Sequence, residues 1–165
     1  MEISADYITR GTTWLFITTL VYFLMNGAQI FETAVIVPKW TAAPPESLHL
    51  LRGKYGLDFK MFWIVMHTIH EITFVIAIIF CWKLDPIRNW MLILFGIHFL
   101  VRVWTLTYFA PNIIEFQKIA NSAYDGVDLL QKVNLWRMLN YIRVAIFIGI
   151  SIGLIPLCVR ILRIG

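Results

Sequence analysis

Met61–Trp82 reads MFWIVMHTIHEITFVIAIIFCW. Its only charged or imidazole side chains are His67, His70 and Glu71. At about 1.5 Å per residue, a helix of this length matches a hydrocarbon core of about 30 Å. Soluble helices are seldom this apolar around their whole circumference. Three further stretches read the same way. They are Trp14–Val37, which stops at Pro38, Trp90–Phe109, which stops before Pro111, and Leu135–Leu162. The expected fold is therefore all-α: an integral membrane four-helix bundle, one domain over residues 1–165, with spans at about 14–37, 61–82, 90–109 and 135–162.

Composition points the same way. Of 165 residues, 59% are hydrophobic and only 15% are charged, with a mean hydropathy of +0.74. A soluble domain of this size needs more charge to cover its surface. The lipid bilayer is thus the first partner. The net charge of +4 is assigned to headgroup contact and topology, and no nucleic-acid partner is expected. Cys81 and Cys158 form no CxxC and read as small core hydrophobes. Glu2 and Asp6 precede Arg10, and the first apolar run is too long for the core of a cleavable signal. It reads as a retained span.

The links divide the membrane faces. Lys83–Asn89, with Asp85-Pro86, is short, whereas Pro38–Lys60 and Ala110–Asn134 are long. Because spans alternate in direction, both long links lie on one side and both termini on the other. Arg10, Lys83, Arg88, Arg160 and Arg163 are packed densely on the terminal side, which places the termini in the cytoplasm. The run from Pro44-Pro45-Glu46-Ser47 through LHLLRGKYG reads as a turn, an N-cap and a short interfacial helix. The other long link carries short amphipathic patterning, so the two are expected to cap one face of the bundle. Trp14, Trp40, Trp63, Trp82, Trp90 and Trp136 read as an interfacial belt.

Ionisable residues inside spans are costly and are functional candidates by default. Here they are Glu32, His67, His70, Glu71, His98 and Arg102, with Asn26 in span one and Arg137, Asn140, Tyr141 and Arg143 opening span four. Counted from the long-link end at ~1.5 Å per residue, Glu32 lies ~8 Å deep, His67 ~9 Å, Asn140 ~8 Å, Arg102 ~11 Å, Glu71 ~15 Å and His98 ~17 Å. All four spans place polar groups toward the same side, which suggests a polar pocket opening toward the long links. His67, His70 and Glu71 stand at i, i+3 and i+4 and share a face. Arg102 can neutralise Glu32 or Glu71, or clamp a substrate oxygen.

Each signal has a plain structural reading too. A lone membrane histidine often bonds between helices, Glu32 with Arg102 is a purely structural bridge, and Arg137 and Arg143 lie near enough to the interface to snorkel. HxxH without the HExxH order is not specific. As a metal site, His67, His70, Glu71 and His98, with Glu32 as a fifth ligand, suit Fe, Zn, Cu or Mn. A bis-histidine haem b, with His67 or His70 facing His98, ranks below that.

GAQIFETAVIVPKW (Gly27–Trp40) and WRMLNYIR (Trp136–Arg143) resemble the end of the first span and the start of the fourth in the four-helix membrane family that includes the anthrone oxygenases. The long-short-long link pattern is similar as well. The resemblance implies oxidation of a tricyclic phenol to a quinone with molecular oxygen.

The function expected is a small membrane oxidoreductase, an oxygenase acting on a lipophilic phenolic or quinone-like molecule. Glu32, Glu71, Arg102 and Asn140 are the catalytic candidates. A metal would activate oxygen or polarise a substrate oxygen; without one, a His or Glu is the general base. Arg102, Asn140 and Arg137 would orient substrate or stabilise an oxyanion, with Tyr141 and Trp104 also lining its site. The alternatives are a ligand-binding or transport subunit that works as a homo-oligomer, a haem-b electron carrier, and a metal-free membrane isomerase.

Overall fold

The computed structural model describes residues 3–119 and 126–164. Among them every regular element is helical. Four helices are long and apolar enough to cross a membrane. The first, α1 (Ala5–Trp40), starts at Ser4, whose Oγ accepts from the Tyr7 N–H. The second, α2 (Lys60–Phe80), ends in a tight turn, and Asp85-Pro86 opens α3 (Asp85–Lys118) with the proline where no helical donor is needed. The fourth, α4 (Gly126–Leu162), contains Pro156.

α1 packs along α2 and α4, while α3 packs along α4 and meets α2 more sparsely. The pairs α1/α3 and α2/α4 thus stand diagonally across the bundle. Glycine permits the closest approaches. A Cβ on Gly11 would sit 3.2 Å from the Phe80 carbonyl oxygen, and one on Gly153 would sit 3.0 Å from Leu94 Cδ2.

Two prolines expected to end helices do not. α1 runs past Pro38 to Trp40, and α3 runs past Pro111 to Lys118. Each proline follows a π turn, Glu32–Ile36 in α1 and Thr105–Phe109 in α3. There the Val37 N–H reaches back to the Glu32 carbonyl and the Ala110 N–H to that of Thr105. One extra residue in the turn gives the ring room, which is how a helix absorbs proline without breaking. The second long link is accordingly shorter than expected, since Ala110–Lys118 and the start of α4 are helical. The first link contains the expected short helix as a 3-10 turn, Glu46–Leu51. Ser47 does not cap that turn; its Oγ donates to the Trp40 carbonyl (2.7 Å) and accepts from the Ala43 N–H (3.1 Å), folding the link back onto α1.

The apolar interior is divided in two. One core, around Leu15, Phe74, Met91, Phe147 and Leu154, fills the terminal half of the bundle. The other joins the far ends of α1, α3 and α4 to the 3-10 turn through Val37, Trp40, Leu48, Phe109, Phe116 and Trp136. Trp40 and Trp136 therefore leave the expected interfacial belt. Both are buried, with ring centres 4.9 Å apart, because the helices continue beyond the expected spans and pack on one another there. Trp82 and Trp90 are exposed, as a belt requires.

Candidate functional site

The polar residues fill the level between the two cores. Its upper tier is built on α4, where Asn140 and Arg143 lie one turn apart. Asn140 Nδ2 donates to Thr33 Oγ1 (3.0 Å), and its Oδ1 accepts from Arg143 Nη2 (2.6 Å). Arg143 Nη1 reaches Thr105 Oγ1 at 3.5 Å, and the guanidinium lies over the Phe109 ring, 4.4 Å from its centre. Thr33 and Thr105 belong to the two π turns. Those turns therefore aim one hydroxyl each at the α4 pair, the kind of re-aiming for which a widened turn is used.

Beside this tier lies Glu32. Its carboxylate faces the Trp63 indole N–H and feels the Arg143 cation. Glu32 and Trp63 help to line a cavity of about 160 Å³ with Ala28, Phe31, Ile36, Phe59 and Phe62, between α1 and the start of α2. Phe31 and Phe62 are exposed, so the cavity is a groove opening on the outer surface. Of the two carboxylates that Arg102 could neutralise, it takes Glu71 and not Glu32. Arg102 Nε donates to Glu71 Oε1 at 3.0 Å.

The lower tier surrounds Tyr22, which is fully buried. Tyr22 Oη lies 3.2 Å from His98 Nδ1, and its ring meets that of His70 edge-on at 4.3 Å. The His70 and His98 ring centres are 4.5 Å apart. His98 Nε2 points toward Glu71 Oε1, 3.9 Å away. His67 is buried against Trp63 and Phe147. Asn26 Nδ2 donates to the Phe147 carbonyl at 2.9 Å and to Ser151 Oγ. Several buried atoms in this tier have no partner: Asn26 Oδ1, Gln29 Oε1, His67 Nδ1, both nitrogens of His70 and His98 Nε2. Natural interiors leave few such groups.

The proposed ligands His67, His70, Glu71, His98 and Glu32 do not converge. Among the described residues, no group of three or more His, Cys, Asp or Glu is arranged to hold a metal. The reason is local: Glu71 is turned to Arg102, Glu32 to Trp63, and His98 Nδ1 to Tyr22. An iron held between two imidazoles needs their ring centres about 6 Å apart, from metal–nitrogen bonds of about 2 Å. The His70–His98 pair is closer than that.

The remaining candidates lie at the edges. Arg137 reaches Thr41 Oγ1 at 3.5 Å, Trp104 packs edge-on against Phe109 at 5.0 Å, and Tyr141 is 48% exposed on the outside of α4. Matched against protein-family models, curated proteins and solved structures, the chain finds no counterpart.

Two participants had little signal in the sequence. Tyr22 sits in an apolar run where an aromatic reads as packing. Arg143, at the opening of span four, reads as well placed to snorkel outward, whereas it turns inward onto Asn140.

Proposed function

We propose that the four helices cross a bilayer with the termini on the cytoplasmic side, and that the chain is a small oxidoreductase acting on a lipophilic phenol- or quinone-like molecule. The observation that carries this reading is the groove at Glu32. It is an apolar slot open to the outer surface, where lipid would lie, with a carboxylate in its wall. A flat apolar molecule can slide in from the hydrocarbon, stack near Trp63, and present an O–H to the Glu32 carboxylate. Glu32 takes that proton, and the anion of a quinol then loses two electrons to dioxygen, leaving the quinone and, with the two protons released, hydrogen peroxide. Arg143, whose charge Glu32 feels, offers its cation to the developing oxyanion.

Behind Trp63, at 5.6 Å between ring centres, lies His67, which joins the groove to the buried histidines.

The test is oxygen uptake by the protein in liposomes supplied with a panel of tricyclic phenols and quinols. Glu32→Gln is expected to lower the rate by about a hundredfold or more, the usual contribution of a positioned base. No oxygen uptake above empty liposomes with any member of the panel would overturn the reading, and would leave a ligand-binding protein.

A further inference from the structure

The Glu71–Arg102 ion pair is in an unusual place. Glu71 lies about 16 Å from the Lys60 end of α2 and about 14 Å from the Phe80 end at ~1.5 Å per residue, which is the middle of a bilayer core. Yet the Glu71 side chain is 39% exposed and that of Arg102 is 20% exposed. The pair lies where α2 and α3 pack sparsely. One turn to either side of it, Val75, Phe99 and Leu106 are exposed and apolar. Hydrocarbon cannot solvate such a pair, and intramembrane charges ordinarily face protein or a polar cavity.

Two sets of donors converge on this opening. Arg102 uses Nε on Glu71, and its two terminal nitrogens have no hydrogen-bond partner among the described residues. Just inside, His98 is almost wholly buried, and its Nε2 has no partner. When the Tyr22 phenol donates to Nδ1, the imidazole proton is on Nε2 and points toward Glu71. The arrangement thus asks for an acceptor oxygen between Arg102 and His98. It also offers Glu71 as an acceptor for an O–H.

We infer that the cleft between α2 and α3 is a second, lateral binding site, which takes the carbonyl or phenol head of a neutral, membrane-dissolved ring compound of the quinone type. Depth selects this occupant. A phospholipid headgroup is held at the interface, about 15 Å away by the same rise per residue, and cannot reach the pair. A free quinone dissolves in the hydrocarbon itself. It is also neutral, so it adds no charge to a pair that is already balanced. The site stands whether or not the Glu32 groove turns a substrate over.

The test is photolabelling of the full chain in phospholipid nanodiscs with an azido derivative of a short-chain benzoquinone, mapped by peptide mass spectrometry. Label is expected on α2 and α3 near Glu71 and Arg102. It should fall about tenfold in the neutral double variant Glu71→Gln/Arg102→Gln, through loss of the charge-assisted hydrogen bonds. It should be unchanged in Glu32→Gln, whose own phenotype would be loss of oxygen uptake. If the double variant does not fold, Leu106→Trp fills the mouth and should lower labelling instead. Labelling that is undiminished in the folded variants, or that maps only to Phe59–Trp63, would overturn the inference. So would disulfide-linked dimers of Phe99→Cys in the nanodiscs, which would put a second copy of the chain over this face.

Discussion

Asn140 is the residue with the most to lose. Its amide joins Thr33 on α1 to Arg143 on the same helix, using donor and acceptor at once. Leucine has a similar volume but can do neither. Asn140→Leu should leave the Arg143 guanidinium short of a strong acceptor and cost about 1–3 kcal/mol, the usual penalty for stranding a buried polar partner. Thermal unfolding in detergent measures this. Tyr141→Leu, one residue on but exposed, is the control and should stay within about 0.5 kcal/mol of the native chain. Equal losses in the two would mean that the network does not hold α1 to α4. At this scale the sequence is half legible. His98 and Asn140 follow from depth and helical spacing, because a polar side chain inside an apolar run turns inward, and both are buried; Glu71 follows only as a partner for Arg102, since its 39% exposure has no sign in the sequence. Arg143 does not follow, since an arginine near a helix end can reach outward to headgroups or inward with equal ease. Tyr22 does not follow either, because a phenol can bury its ring as any aromatic does and shows its hydroxyl only when a partner such as His98 is in place.

The π turns belong to the scale of the helix. Each adds one residue to the repeat, so everything beyond it is rotated relative to a regular helix. Inserting a second alanine after Ala34, an exposed residue within the first π turn, adds a residue where the turn has already absorbed one, and should turn Val37 and Trp40 by about 100°, one residue's share of a 3.6-residue turn. Trp40 would then leave Trp136 and Phe116. The expected result is a red-shifted tryptophan emission and rapid proteolysis of the 41–59 link, with helical circular dichroism nearly unchanged. Native emission and native resistance would show that the wide turn does not set the register. In sequence, Pro38 and Pro111 read as stops because proline has no N–H to give. That a single extra residue can absorb the fault is a property of the backbone and leaves no residue-type signature.

For the whole molecule the important fact is the division into two apolar cores with polar groups between them. Phe147 is fully buried in the first core beneath Tyr22, His67 and His98. Phe147→Ala should cost about 3–5 kcal/mol and raise hydrogen exchange in all four helices. Trp136→Ala should act differently, loosening the 3-10 turn and the Ala110–Lys118 segment while the bundle stays protected. Exchange that rises everywhere in both variants would mean a single cooperative unit. The length of α2 has a further consequence for the assembled molecule. It has 21 residues, whereas the other three long helices have 34 to 37. Its ends are also tied, by the Asp58 side chain to the Lys60 N–H and by the Tyr7 hydroxyl to the Lys83 N–H. At about 31 Å it just equals an average hydrocarbon thickness. The longer helices can tilt or slide to suit a membrane of another thickness, but α2 has no spare turn to offer. In a bilayer, hydrophobic mismatch would therefore fall on this one helix, and its length would decide which membranes hold the protein without distortion.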